Sequence, residues 1–159
     1  MNRIFYGKHR KRNIVVYFVI LLLWLSFIFY NSSASGLEST EQSNRVVEFI
    51  QSIVHNFAPE AMVDSGAVRT TAHFVEFFVL GALYYIGTFF IRFSRTSLFI
   101  HSLALSLFSA FADETVQMFS NGRGAEIKDV WVDLAGAFVA HIIIFAIYYS
   151  YKHFKNTSQ

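Results

Sequence analysis

The sequence predicts an all-α fold: an integral membrane four-helix bundle with an extra interfacial amphipathic helix. Three observations predict it. Hydrophobic residues make up 54% of the 159 positions and charged residues only 15%, where a soluble domain carries about a quarter charged. The apolar residues gather into runs near the ~20 residues that cross a bilayer. The 13 Lys and Arg and the 11 Asp and Glu are also segregated along the chain. There is no Cys, which removes disulfides, thiolate nucleophiles and cysteine-based metal centres from consideration.

Residues 1–13 are basic, with Arg3, Lys8, Arg10, Lys11 and Arg12. Placed before an apolar run, they read as a positive-inside anchor and not as a nucleic-acid arm. Residues 14–30 form the first span, with Trp24 and Tyr30 toward its far end, where aromatic rings suit the interface. Ser33-Ala34-Ser35 resembles a small-residue cleavage site, but the run exceeds a signal-peptide core, and the expectation is a retained helix.

Residues 31–71 are a polar outer loop containing the sole proline, Pro59. Ser39-Thr-Glu-Gln42 has the form of a capping box. Behind it Val46, Phe49, Ile50, Ile53 and Phe57 recur at helical spacing, predicting an amphipathic helix at the outer interface or over the bundle mouth. The remaining spans are residues 72–91, 98–119 and 130–149, within a transmembrane domain of residues 14–150. Arg92 and Arg95 form a basic turn, Asn121-Gly122-Arg123-Gly124 a polar one, and residues 151–159 a short tail.

With four spans, the N-terminus, the 92–95 turn and the C-terminus share one side and hold nine of the 13 Lys and Arg. The bias places both termini in the cytoplasm of a multi-pass cell-membrane protein. All 11 acidic residues fall on the outer half, and acidic residues contribute little to orientation, so they call for another explanation.

Helical spacing supplies one. Arg69, His73 and Glu76 share a face of the second span. Ser102, Ser106, Ser109, Asp113 and Gln117 make a stripe on the third, with Glu114 beside it. Asp129, Asp133, Gly136 and Ala140 make another on the fourth. Gly136 and Ala140 also form a small-xxx-small pair for close helix approach. Turning the three stripes together creates a polar pocket open to the outside. A charged group at mid-span costs about 2.5–3.5 kcal/mol on insertion scales, and an interhelical hydrogen bond returns about 0.6 kcal/mol on average. Packing glue alone is therefore an expensive reason to keep them, although Arg69 and Arg123 paired with the carboxylates would provide it.

The motifs carry a resemblance. Phe29-Tyr30-Asn31-Ser32-Ser33, Arg69-Thr-Thr-Ala-His73-Phe-Val-Glu76-Phe, Asp113-Glu114-Thr-Val-Gln117-Met-Phe119, Gly122-Arg123 and Asp129-Val-Trp-Val-Asp133-Leu-Ala-Gly136 occur in an order that resembles the VanZ-like family. These are small bacterial membrane proteins named after the teicoplanin-resistance protein VanZ. The resemblance covers residues 14–149 and departs at Val116, where the family pattern has His before Gln. It implies a cell-envelope protein linked to glycopeptide antibiotic resistance.

Three chemistries follow for the pocket. In the first, it binds or modifies an envelope lipid or a lipid-linked cell-wall precursor. Arg69 and Arg123 then hold phosphate or carboxylate, Gln117, Asp129 and Asp133 complete substrate binding, and His73, Glu76, Asp113 and Glu114 are the candidate catalytic groups, with His73 as proton carrier. In the second, His73, Glu76 and carboxylates of other helices form an N/O shell for a metal-assisted hydrolase or transferase, favouring magnesium or manganese over zinc. No residue is assigned as a metal ligand and no resident cofactor is expected, a divalent cation being the one this set would accept. In the third, the chain is a proton- or ion-coupled carrier. His101 and His141 are the ionisable groups of the inner halves, and both read as packed or interfacial histidines. Membrane lipids are the expected partners, nucleic acid is not, and Glu126 and Lys128 read as solvated rim charges.

Overall fold

The computed structural model describes residues 10–58, 60–90 and 95–157. Arg3, Lys8, Pro59, Arg92 and the last two residues of the tail lie outside them. Among the described residues five α-helices follow one another: α1 (Arg10–Ser33), α2 (Gly36–Val54), α3 (Ser65–Gly87, continued by a 3₁₀ turn Thr88–Phe90), α4 (Arg95–Met118) and α5 (Ile127–Thr157). α1, α3, α4 and α5 pack together, with α3 against α5 as the most extensive interface, and α2 lies on α3.

Three of these helices, α1, α3 and α5, are long and apolar enough to cross a membrane. α4 has the length, 24 residues, but is not among the three. The stripe of Ser102, Ser106, Ser109, Asp113 and Gln117 dilutes its apolarity, and all five of those residues are buried against the other helices. A helix that turns a polar face to its neighbours and an apolar face outward needs less total hydropathy than one surrounded by lipid. Its outward residues are apolar: Ile100, Leu105, Phe108 and Phe111 are all at least half exposed.

The helices overrun the apolar windows that reveal them. α1 starts at Arg10, α3 at Ser65 instead of residue 72, and α5 runs through Lys152 and Lys155 to Thr157. Hydropathy marks the slab of hydrocarbon a helix crosses, whereas its ends are set by caps. The α3 cap is Asp64, whose side chain accepts the Ala67 amide at 2.7 Å. The α2 cap corrects the expectation of a box at Ser39–Gln42. Ser35 is the N-cap and Glu38 the reciprocal partner, with the Ser35 amide donating to the Glu38 carboxylate at 2.8 Å. Both tetrads fit the pattern, and the loop decides, because the Gly36 amide is already tied to the Asn121 carbonyl at 2.8 Å.

A small-residue seam holds α3 to α5. A Cβ on Gly81 would stand 2.6 Å from the Ala137 Cα, and one on Gly136 would run into the Phe74 carbonyl. The two backbones therefore touch with no side chain between them. Beside the seam, Leu21, Ile28, Phe77, Leu80, Ala110 and Val130 form the apolar core. Arg10 donates to the Phe90 carbonyl at 3.3 Å and Phe89 meets Tyr148 with ring centroids 5.6 Å apart. The start of α1 and the ends of α3 and α5 thus share one end of the bundle. The polar residues collect at the other end.

Candidate functional site at the polar mouth

Three helices meet at His73. The α3 imidazole Nδ1 lies 3.5 Å from Asp133 Oδ1 of α5 and 3.9 Å from Asp113 Oδ2 of α4. His73 is 7% exposed, and Asp113 and Asp133 are 0% exposed, so the two carboxylates are shut off from bulk water and the imidazole shows only its edge. Neither contact of Nδ1 is a hydrogen bond, and both oxygens of Asp133 accept none.

Asp113 is held differently. Ser32 Oγ of α1 donates to Oδ1 at 2.5 Å, and Gln117 Nε2, one turn on, donates to Oδ2 at 2.7 Å. The Gln117 Oε1 in turn accepts from Arg123 Nη2 at 2.7 Å and from Arg69 Nη2 at 3.5 Å. One amide thus joins the buried carboxylate to two guanidinium groups. Arg123 reaches this place because Gly122, at φ 73°, turns the loop sharply, a conformation glycine takes without strain. Its Nη1 donates to the carbonyls of Asn31 and Ser32, each at 3.4 Å. A cation there also suits the carbonyl end of α1.

Glu76 and Glu114 also tie neighbouring segments together. Spacing alone pairs Glu76 with His73, but its Oε1 accepts from Asn31 Nδ2 at 2.9 Å. Trp24, expected at the interface, is half-buried and donates its indole N–H to the Glu76 carbonyl at 3.0 Å. Glu114 Oε2 accepts the Glu126 amide at 2.8 Å and pins the loop before α5, while its Oε1 is buried without a partner. Asp129 is half-buried in the first turn of α5. Glu126 and Lys128 pair with each other at 2.5 Å on the exposed rim.

Two recesses open onto this group. One, of about 190 Å³, lies under α2 and is lined by Asn31, Ser43, Arg69, His73, Glu76 and Arg123 among others. The other, of about 350 Å³, lies on the far side of Arg69 and His73 and reaches Asp129, Glu126 and Lys128. The nine site residues expected from sequence therefore sort into two layers. Arg69, His73, Glu76, Arg123 and Asp129 line the recesses, while Asp113, Glu114, Gln117 and Asp133 stand behind them. Asn31 and Ser32 belong to the site as well and escape a reading by helical stripes, since α1 has no polar stripe. Two hydrogen-bonding residues closing an apolar run are the signal that marks them. Toward the other end, His141 is buried with Nε2 at 2.7 Å from Ser102 Oγ and Nδ1 at the Ala137 carbonyl, a packed histidine. His101 is exposed against the Ser97 carbonyl.

Residues 17–148 match the family described as VanZ/LLP1. The chain belongs to the VanZ/LLP1 family. The match contains every residue of the polar mouth, and the VanZ-like motifs noted in the sequence are the segments that converge there. Three helices of spanning length and apolarity make this VanZ-like chain a membrane protein. No curated protein and no solved structure matches it.

Proposed function

We propose that the polar mouth of this VanZ-like protein binds the anionic headgroup of an envelope lipid or lipid-linked cell-wall precursor. The chain would cross the membrane four times, with both termini in the cytoplasm and the mouth facing outward. The observation that carries the reading is the pairing of Arg69 and Arg123. Both guanidinium groups are half-buried, both reach the same Gln117 oxygen, and neither forms a salt bridge among the described residues. Two cations held together at a part-desolvated site repel each other, and a bound phosphate or carboxylate turns that cost into attraction. The apolar side chains of α2 support a lipid as the source. Val46 of α2 lines the recess, and further along the same helix Phe49 is 68% and Ile53 47% exposed, an apolar track a lipid's chains would follow.

The resemblance to the teicoplanin-resistance protein VanZ supports extending this reading to glycopeptide resistance, which such a site would serve by sequestering or altering a surface precursor. The test is thermal stabilisation and native mass spectrometry of purified protein with anionic phospholipid, polyprenyl phosphate and lipid-linked peptidoglycan fragments. At least one should bind and raise the melting temperature, and the Arg69→Gln, Arg123→Gln double variant should lose that binding tenfold or more. No stabilisation by any of them, or equal binding by the double variant, rejects the reading.

A further inference from the structure

We infer that His73, Asp113 and Asp133 form a binding site for one divalent transition-metal cation at the floor of the mouth. A ligand atom from each lies within 4.8 Å of the other two. Two donors sharing an ion at about 2.1 Å each stand roughly 3 to 4 Å apart, and the contacts of His73 with Asp133 and Asp113 are 3.5 and 3.9 Å. Proximity of acidic groups is common. The deciding observation is that Asp133 is 0% exposed and neither of its oxygens, nor His73 Nδ1 facing it, has a hydrogen-bond partner. Buried polar groups in proteins are almost always satisfied, and an ion coordinated by these atoms would satisfy all three together.

The surroundings are those of a supported ligand set. Asp113 takes one hydrogen bond on each oxygen, from Ser32 and from Gln117, which orients the carboxylate while leaving lone pairs to coordinate. The three donors come from three different helices of the bundle, α3, α4 and α5, a recurrent way of building such centres. One imidazole nitrogen with carboxylate oxygens suits Mn²⁺ or Zn²⁺ and excludes the soft-ligand Cu(I). His73 lines both recesses, so an ion enters from the mouth and keeps open positions toward it. This assignment stands apart from the headgroup reading, since Arg69 and Arg123 are not ligands.

The test uses the full chain in detergent, stripped with chelator and titrated with Mn²⁺ alone, then with Zn²⁺ in competition. One Mn²⁺ per chain should bind, with a nitrogen hyperfine coupling from His73 in pulsed electron paramagnetic resonance and a rise in melting temperature. Asp133→Asn should weaken binding at least tenfold, and in metal-free protein it should melt no lower than wild type, because it removes a buried carboxylate whose oxygens accept no hydrogen bond. Should that variant fail to fold, the nitrogen coupling of the wild type and its loss in His73→Gln carry the same decision. The exposed-rim variant Glu126→Gln should bind as wild type does, and Mn²⁺ binding in delipidated protein separates the ion from the headgroup. Substoichiometric binding, absence of nitrogen coupling, or wild-type affinity in the Asp113→Asn and Asp133→Asn variants overturns the inference.

Discussion

Asp113 shows what a single buried carboxylate requires. Its two oxygens are each taken by a donor, one from α1 and one from its own helix, so its desolvation is offset by two hydrogen bonds, of which only the assembled bundle supplies the first. This separates two substitutions that look alike in sequence. Ser32→Ala leaves Oδ1 buried without its donor and should cost about 1–3 kcal/mol of stability. Asp113→Asn keeps a polar amide in place and removes the charge, so it should cost less. Equilibrium unfolding of metal-free protein in detergent gives the ranking, and a more damaging Asp113→Asn would mean that the charge itself holds the bundle together. The role of Asp113 is legible from its place on a stripe, but its donor Ser32 lies 81 residues away, and no periodicity links positions on different helices.

Among the elements, α2 is the one whose placement depends most on its cap. The Ser35 amide and hydroxyl hold the Glu38 carboxyl below its ordinary value of 4.5. A carboxyl depressed by folding contributes its full stabilisation above the unfolded value and loses it as pH falls through the folded one. Amide protection in the first turn of α2, corrected for intrinsic exchange, should therefore be full at neutral pH and fall as the pH drops through and below the ordinary glutamate value. Glu38→Gln should show weaker protection that no longer changes with pH. An unchanged acid response in that variant would place the sensitivity elsewhere. The amphipathic character of α2 is plain from Val46, Phe49, Ile50 and Ile53. Its start is not, because Ser35–Glu38 and Ser39–Gln42 offer competing caps and the Gly36–Asn121 hydrogen bond between distant segments selects one.

For the whole molecule, the charge asymmetry becomes a testable orientation. With no cysteine in the chain, single cysteines introduce one reporter each. Thr70→Cys, on the exposed face of the α3 N-terminal turn, should react with an impermeant maleimide in intact cells. Ser158→Cys should react only after the membrane is opened. The opposite pattern would turn the mouth to the cytoplasm and remove envelope precursors exposed on the outer leaflet from its reach. The same scale explains why four helices cohere when only three pass as spans by apolarity. α4 spends one face on the polar mouth and the Ser102–His141 contact, so its hydropathy reports its neighbours as much as its depth.

The amino-acid order by itself determined the helical class, the apolar windows, the segregation of charge and the stripes that carry Arg69, His73, Asp113, Gln117 and Asp133. These follow from rules that act within about one turn or over the thickness of a bilayer. Only the tertiary structure decided that His73 faces Asp113 and Asp133 while Glu76 turns to Asn31, that α1 contributes Ser32, and that two arginines share one glutamine. The physical reason is that helical periodicity sets the face a side chain occupies but not its partner. The partner is chosen where backbones approach closely enough, at Gly81–Ala137 and Gly136–Phe74, to bring residues of separate helices within reach.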